Sequence, residues 1–321
     1  MMLGIGLGAL VYLGMSFYLG WGGLLEASAL FDWRVLPALL MLSLANYVIR
    51  FAKWHYYLRR IHVPLLGVDS FLVFLAGLML SITPGKLGEV IKAYLVKARI
   101  GTRVSVVAPV VFAERLTDVA ALVVLSLAGG FALDVGRPAI LAGGALTLVG
   151  LGVVSSRALV LSVLRRLEHL PAVGKNVERL EVAYDSASRL VAPRPLLVAT
   201  GLSVVAWGAE CLAYGLTISG FGVDVPLGAA SFTYAVSTII GALSMLPGGL
   251  GSTEASLTAL SVELFGMTEN VAGLAAIIVR ASTLWFAVGV GAVALLVAGR
   301  RFGGVDLAGA DAPEDDLSPG D

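Results

Sequence analysis

Two kinds of apolar segment alternate along the chain. Six uninterrupted runs, at about 3–20, 35–58, 104–131, 138–155, 195–219 and 270–299, are about as long as a helix needs to be to cross a bilayer. Two other segments, 67–99 and 226–266, break in the middle. Each has an apolar limb, a Pro-Gly turn, and a second limb that is shorter or more polar, with Lys92 and Lys97 in the first. Irregular backbone at membrane depth is tolerated only where protein or a wet cavity surrounds it. The pattern therefore predicts an all-α integral membrane protein. It is a polytopic helical bundle of about six full spans plus two re-entrant or half-crossing hairpins.

The two hairpins are near copies. Leu80 to Gly88 reads LSITPGKLG and Leu243 to Gly251 reads LSMLPGGLG, with six of nine positions matching. An acid follows each copy, Glu89 and Glu254, and an arginine lies 26 residues beyond each acid, Arg115 and Arg280. Val-Pro-Leu (63–65 and 225–227) and Ser-Phe (70–71 and 231–232) precede them in the same order. Broken segments in corresponding places of two halves point to a transporter built from repeats. Repeat one covers about 35–131 and repeat two about 195–299.

Composition agrees. The chain is 58% hydrophobic and 14% charged, with mean hydropathy +0.91, and 1–301 is expected to be one membrane domain. The first run lacks a basic n-region and is read as a retained span. A net charge of zero says nothing about partners, and no nucleic-acid partner is expected. Distribution says more. Fifteen Lys and Arg, Lys92 among them, fall on one side and only Arg34 and Arg137 on the other, which predicts a cell (inner) membrane protein with both termini cytoplasmic. The hairpins then enter from opposite faces, as an inverted-topology repeat. The loop at 156–194 reads either as two amphipathic helices on the inner leaflet or as a solvated linker. The acidic tail, 302–321, is expected to be disordered. The lone Cys211 is read as a small hydrophobe, the three histidines have no ligand spacing, and no metal or other cofactor is expected.

Ionisable groups inside a span are expensive, so their positions matter. Asn46, Arg50 and Lys53 share one helix face. Lys53, and Arg50 with it, either snorkel to the headgroups or face inward; the depth of Arg50 favours an inward role. Glu114, Arg115 and Asp118 cluster within the third run, Glu210 is mid-span, and Arg280 lies toward the outer end of the last run. A symmetric arrangement would pair Glu210 with Arg280, and Arg50 with Glu114 or Asp118. These groups are either a structural ion cluster or a site. The helices that follow the turns Pro84-Gly85-Lys86 and Pro247-Gly248-Gly249 would aim free N–H groups at a phosphate. The alternative is a pair of packing kinks.

At RFAKWHYYLRR (50–60), SITPGKLGEVIKAYLV (81–96), ERLTD (114–118) and SMLPGGLGSTEASL (244–257), the chain resembles the flippase-like family of lysylphosphatidylglycerol synthase transmembrane regions. The resemblance covers nearly all of 1–300. It implies a membrane region that moves an aminoacylated phospholipid between leaflets, made by a separate soluble domain. No such domain is expected here, and no enzymatic activity. By resemblance the motif positions are Pro84, Gly85, Lys86, Gly88, Glu89, Glu114, Arg115, Pro247, Gly248, Gly249, Gly251, Glu254 and Arg280. With Arg50, Asp118 and Glu210 they make up the expected substrate site. The function expected is translocation of a phosphate-bearing lipid, aminoacylated or polyprenyl-linked. The alternatives are a secondary transporter of a small polar solute and an accessory subunit for lipid or glycan synthesis. Expected partners are the bilayer and the lipid substrate, with a second copy of the chain or a lipid-synthesising enzyme as further candidates. A cavity open sideways to lipid would favour the first reading over the second.

Overall fold

The computed structural model describes residues 2–83, 88–133 and 186–302. The expected span 138–155, the loop as far as 185, the turn residues Pro84, Gly85 and Lys86, and the tail from 303 lie outside them. Every described regular element is helical, as expected for a helical membrane protein.

Helix α1 (Met2–Leu19) meets α2 (Trp21–Leu30) at Gly20, whose positive φ of 74° turns the chain by 91°. Then come α3 (Leu36–Arg60), α4 (Gly67–Leu78) with a 3-10 turn at Met79–Ile82, α5 (Ile91–Ile100) and α6 (Val104–Leu133). The second half holds α7 (Pro193–Ser219), α8 (Leu227–Leu243), a 3-10 turn at Pro247–Gly249, α9 (Ser252–Phe265), α10 (Glu269–Arg280), a π turn at Ala281–Trp285 and α11 (Phe286–Arg301).

Three helical stretches, Trp33–Arg60, Pro193–Ser219 and Glu269–Arg301, are long and apolar enough to cross a membrane, and the bent first pair makes a fourth if it is one span. These fall on four of the expected runs. The expected run 104–131 is one continuous helix, but Glu114, Arg115 and Asp118 interrupt its apolar character. The hairpin limbs Gly67–Ile82 and Leu227–Leu243 are apolar and short. At 1.5 Å per residue they reach about 25 Å, less than a full hydrocarbon core.

Helices α3 and α7 run antiparallel at the centre. Leu39 packs with Ala213, Asn46 Nδ2 donates to the Ala206 carbonyl at 2.8 Å, and Lys53 Nζ donates to Ser203 Oγ at 2.7 Å. Each hairpin limb then packs on a long helix of the other half. Helix α8 lies on α6 where a Cβ on Gly129 would strike the Gly228 carbonyl and the Phe232 backbone. Helix α11 lies on α4 and its turn, where a Cβ on Gly291 would strike Met79 N and the Leu75 carbonyl. Glycine at such crossings lets backbones approach, which is how membrane helices gain contact without a hydrophobic drive. The two 3-10 turns touch: a Cβ on Gly248 would sit 3.4 Å from Ile82 Cα. The two 3-10 turns therefore meet in the interior.

The π turn has its own fastening. Its widened ring frees carbonyls from the regular ladder. Ser43 Oγ donates to the Ser282 carbonyl and Tyr47 OH to the Thr283 carbonyl, both at 2.8 Å. Helix α3 thus holds the joint between α10 and α11.

Candidate functional site

The two acids and the two arginines that follow them by 26 residues are in contact, each with its own. Arg115 Nη2 donates to Glu89 Oε2 at 2.9 Å, and Arg280 Nε donates to Glu254 Oε1 at 2.8 Å. Of the two pairs the symmetric arrangement called for, Arg50 meets Asp118 at 4.0 Å, but Arg280 does not pair with Glu210. Arg280 Nη2 takes the Gly248 carbonyl at 2.6 Å, while Glu210 Oε2 accepts from Tyr234 OH at 2.6 Å. Glu254 is at the third position of α9, where its carboxylate also caps the helix by accepting from Gly251 N at 2.8 Å. The second turn is therefore tied to Arg280 directly and through Glu254.

Three of the backbone donors that the sequence offered for an anion are taken within the second turn. Gly249 N bonds the Leu246 carbonyl, Leu250 N bonds the Pro247 carbonyl, and Gly251 N bonds Glu254. Gly248 and Gly249 both have positive φ, 62° and 66°, which is where glycine is needed. In the first hairpin Gly88 N donates to Thr83 Oγ1 at 2.8 Å.

Around Glu89 and Arg115 the charges multiply. Lys92 Nζ lies 2.5 Å from Glu114 Oε2 and 3.5 Å from Glu89 Oε2, and sits over the Trp54 ring at 4.8 Å. Lys53 Nζ is held by Asp118 Oδ1 at 2.6 Å and by Ser203 Oγ, with Thr117 Oγ1 and the Glu114 carbonyl at 3.3 Å each. Arg115 Nη1 reaches Asp118 Oδ2 at 3.3 Å. Arg50 Nη2 stays 4.0 Å from Asp118 Oδ2. Lys53 and Lys92 are therefore buried partners, which corrects the snorkelling alternative for the first and the inner-face placement of the second. Their spacing was the available signal: Lys53 shares a face with Arg50, and Lys92 is one turn from Glu89. Lys53 and Lys92 persist at such depth because each is paired and hydrogen-bonded.

A cavity of about 300 Å³ lies between these clusters and the two 3-10 turns. Of the expected site residues, Arg50, Arg115, Asp118, Glu210, Gly248, Gly249 and Arg280 line it. Glu89, Glu114 and Glu254 are buried and hold basic groups from behind. Pro247, Gly251 and Gly88 belong to the turns beside it. Tyr47, Trp207 and Tyr234 complete the polar wall. The described rim is apolar and exposed at Val119, Met245 and Leu246. Among the described residues no three of His, Cys, Asp and Glu are grouped to hold a metal.

Sequence reasoning missed one further junction. At the base of the first hairpin, buried Asp69 accepts from Arg99 Nε at 2.8 Å and Arg301 Nε at 2.7 Å, clasping the ends of α4, α5 and α11.

No individual curated protein matches the chain. The family model of the lysylphosphatidylglycerol synthase TM region matches residues 1–291, which takes in both hairpins, both Glu–Arg pairs and every described wall of the cavity. The chain belongs to the lysylphosphatidylglycerol synthase transmembrane-region family.

Proposed function

We propose that the chain is a lipid translocator that moves a phosphate-bearing lipid between leaflets, with the headgroup in the charged cavity and the tails in the bilayer. One observation carries this reading. The same cavity has buried ionised walls and an exposed apolar rim of Val119, Met245 and Leu246. A soluble solute needs only the first; an amphiphile needs both. The membership of a lipid-related membrane family points the same way.

The two halves would form an inverted-topology repeat of six spans and two hairpins, in a cell membrane with both termini inside. Support comes from the matched motifs, the antiparallel α3 and α7, the reciprocal packing of α4 on α11 and α8 on α6, and the two Glu–Arg pairs of equal spacing. Such a design lets one site face either side.

The test is lipid exchange between leaflets of vesicles holding the purified protein. A fluorescent short-chain phospholipid in the inner leaflet should become accessible to an external quencher several-fold faster than in protein-free vesicles. Exchange no faster than in empty vesicles, with uptake of a soluble phosphorylated solute instead, would overturn the reading.

A further inference from the structure

We propose that Arg50 is the anion anchor of the cavity and that its ligand is a singly charged phosphodiester. This rests on the reading of the cavity as a headgroup site and names the residue and charge state that site uses.

The other basic walls are committed. Arg280 is bonded to Glu254 and to the Gly248 carbonyl. Arg115 is bonded to Glu89 and lies 3.3 Å from Asp118. Arg50 differs. It lines the cavity at 6% exposure, yet Nε and Nη2 have no hydrogen-bond partner. These are the two nitrogens that form the side-on fork of a guanidinium, the edge that grips an oxyanion with two parallel bonds. The nearest carboxylate oxygen, Asp118 Oδ2, is 4.0 Å away, beyond hydrogen-bonding reach, and Asp118 already serves Lys53 and Arg115. A buried cation with unmade bonds is costly, and an entering oxyanion restores those bonds.

Charge sets the class of ligand. In the described first-half cluster Arg50, Lys53, Lys92 and Arg115 face Glu89, Glu114 and Asp118. Glu210 lines the same cavity and its carboxylate acts on Arg50, so these described groups balance, four against four, and an entering anion adds uncompensated charge. A diester phosphate adds one such charge. A monoester or pyrophosphate adds at least one more, which makes the diester the least costly phosphate to admit.

A phosphodiester can come from a lipid or from a soluble molecule. Calorimetric binding in a non-ionic detergent separates the two, using dihexanoylphosphatidylglycerol, the soluble glycerophosphoglycerol, and dihexanoylglycerol as the uncharged control. Wild-type protein should bind the lipid diester more tightly than the soluble one. Arg50→Gln should weaken diester binding about 30-fold, in line with loss of a charged bidentate contact, and leave the uncharged control unchanged. Arg50→Lys keeps the charge without the fork and should lose about 5-fold, so it serves if the Gln variant fails to fold. Preferred binding of the soluble diester would assign the anchor to a soluble ligand and still support Arg50. Wild-type affinity in either variant, or no diester binding by the wild type, would overturn the proposal. The translocation reading fails separately: a wild type that binds the diester but does not speed lipid exchange sinks that reading and leaves this one standing.

Discussion

The Glu–Arg pairs of the two halves share a chain spacing and a bond length but sit in unlike surroundings. Glu89–Arg115 is one link in a web of seven charged side chains, in which Lys92 also reaches Glu89 and Lys53 also reaches Asp118. Glu254–Arg280 is a clasp. It holds a backbone turn through Gly248 and Gly251, and Tyr12 OH approaches Glu254 Oε1 at 3.4 Å while accepting from Trp285 Nε1 at 2.8 Å. A web has substitutes for any member; a clasp does not. The same sequence signal has thus produced a redundant element in one half and an irreplaceable one in the other.

The largest expected effect tests that contrast. Arg280→Ala strands the fully buried Glu254 and frees the Gly248 carbonyl, so it should cost roughly 3–5 kcal/mol of stability. Arg115→Ala leaves Glu89 near Lys92 and Asp118 on Lys53, and should cost about 1–2 kcal/mol. Denaturant unfolding in detergent compares the two, and equal losses would erase the distinction. Adding Glu254→Gln to Arg280→Ala should restore part of the loss, because the stranded charge is then gone.

A smaller effect should be shared by both halves. Gly129→Ala and Gly291→Ala each drive a Cβ into backbone of the opposing hairpin limb, costing about 1–3 kcal/mol apiece. If only one variant loses thermal stability, the reciprocal packing is not equivalent. Tyr12→Phe should be smallest, about 1 kcal/mol, since it removes one long and one good hydrogen bond from the clasp. A matching loss at lipid exchange without loss of stability would move Tyr12 from the clasp to the transported headgroup.

What was legible in the sequence was whatever covalent spacing dictates. The Pro-Gly motifs and the 26-residue intervals mark matching places in the two halves of the sequence, so the acids and arginines could be found before their contacts were known. Partner choice was not legible. Arg280 prefers Glu254 to Glu210 because the turn at Gly248 brings a carbonyl and a carboxylate to the same guanidinium, and no one-dimensional pattern encodes that coincidence. Lys92 looked like an inner-face charge because its limb is polar enough to sit at a surface; only the placement of Glu114 and Trp54 shows that Lys92 is on the buried face of that limb. Gly20 ended the first apolar run visibly, but the second apolar limb after a 91° bend had no separate signature. Asp69 read as an ordinary polar residue near a helix start, since its two arginines come from 30 and 232 residues away.

The π turn turns a question of composition into one of counting. In an unbroken α-helix, residues eleven apart return to nearly the same side, so Arg280 and Gly291 would both face one hairpin. A π turn accommodates one extra residue, which rotates everything beyond it by about 100°. The structure has this turn between Arg280, which addresses the second hairpin, and Gly291, which meets Leu75 and Met79 of the first. Deleting any one residue between 281 and 285 would close the turn and swing Gly291 off its contact. The helix there has a length constraint on top of the contacts its side chains make, and a single-residue deletion would break the first even where the second survived.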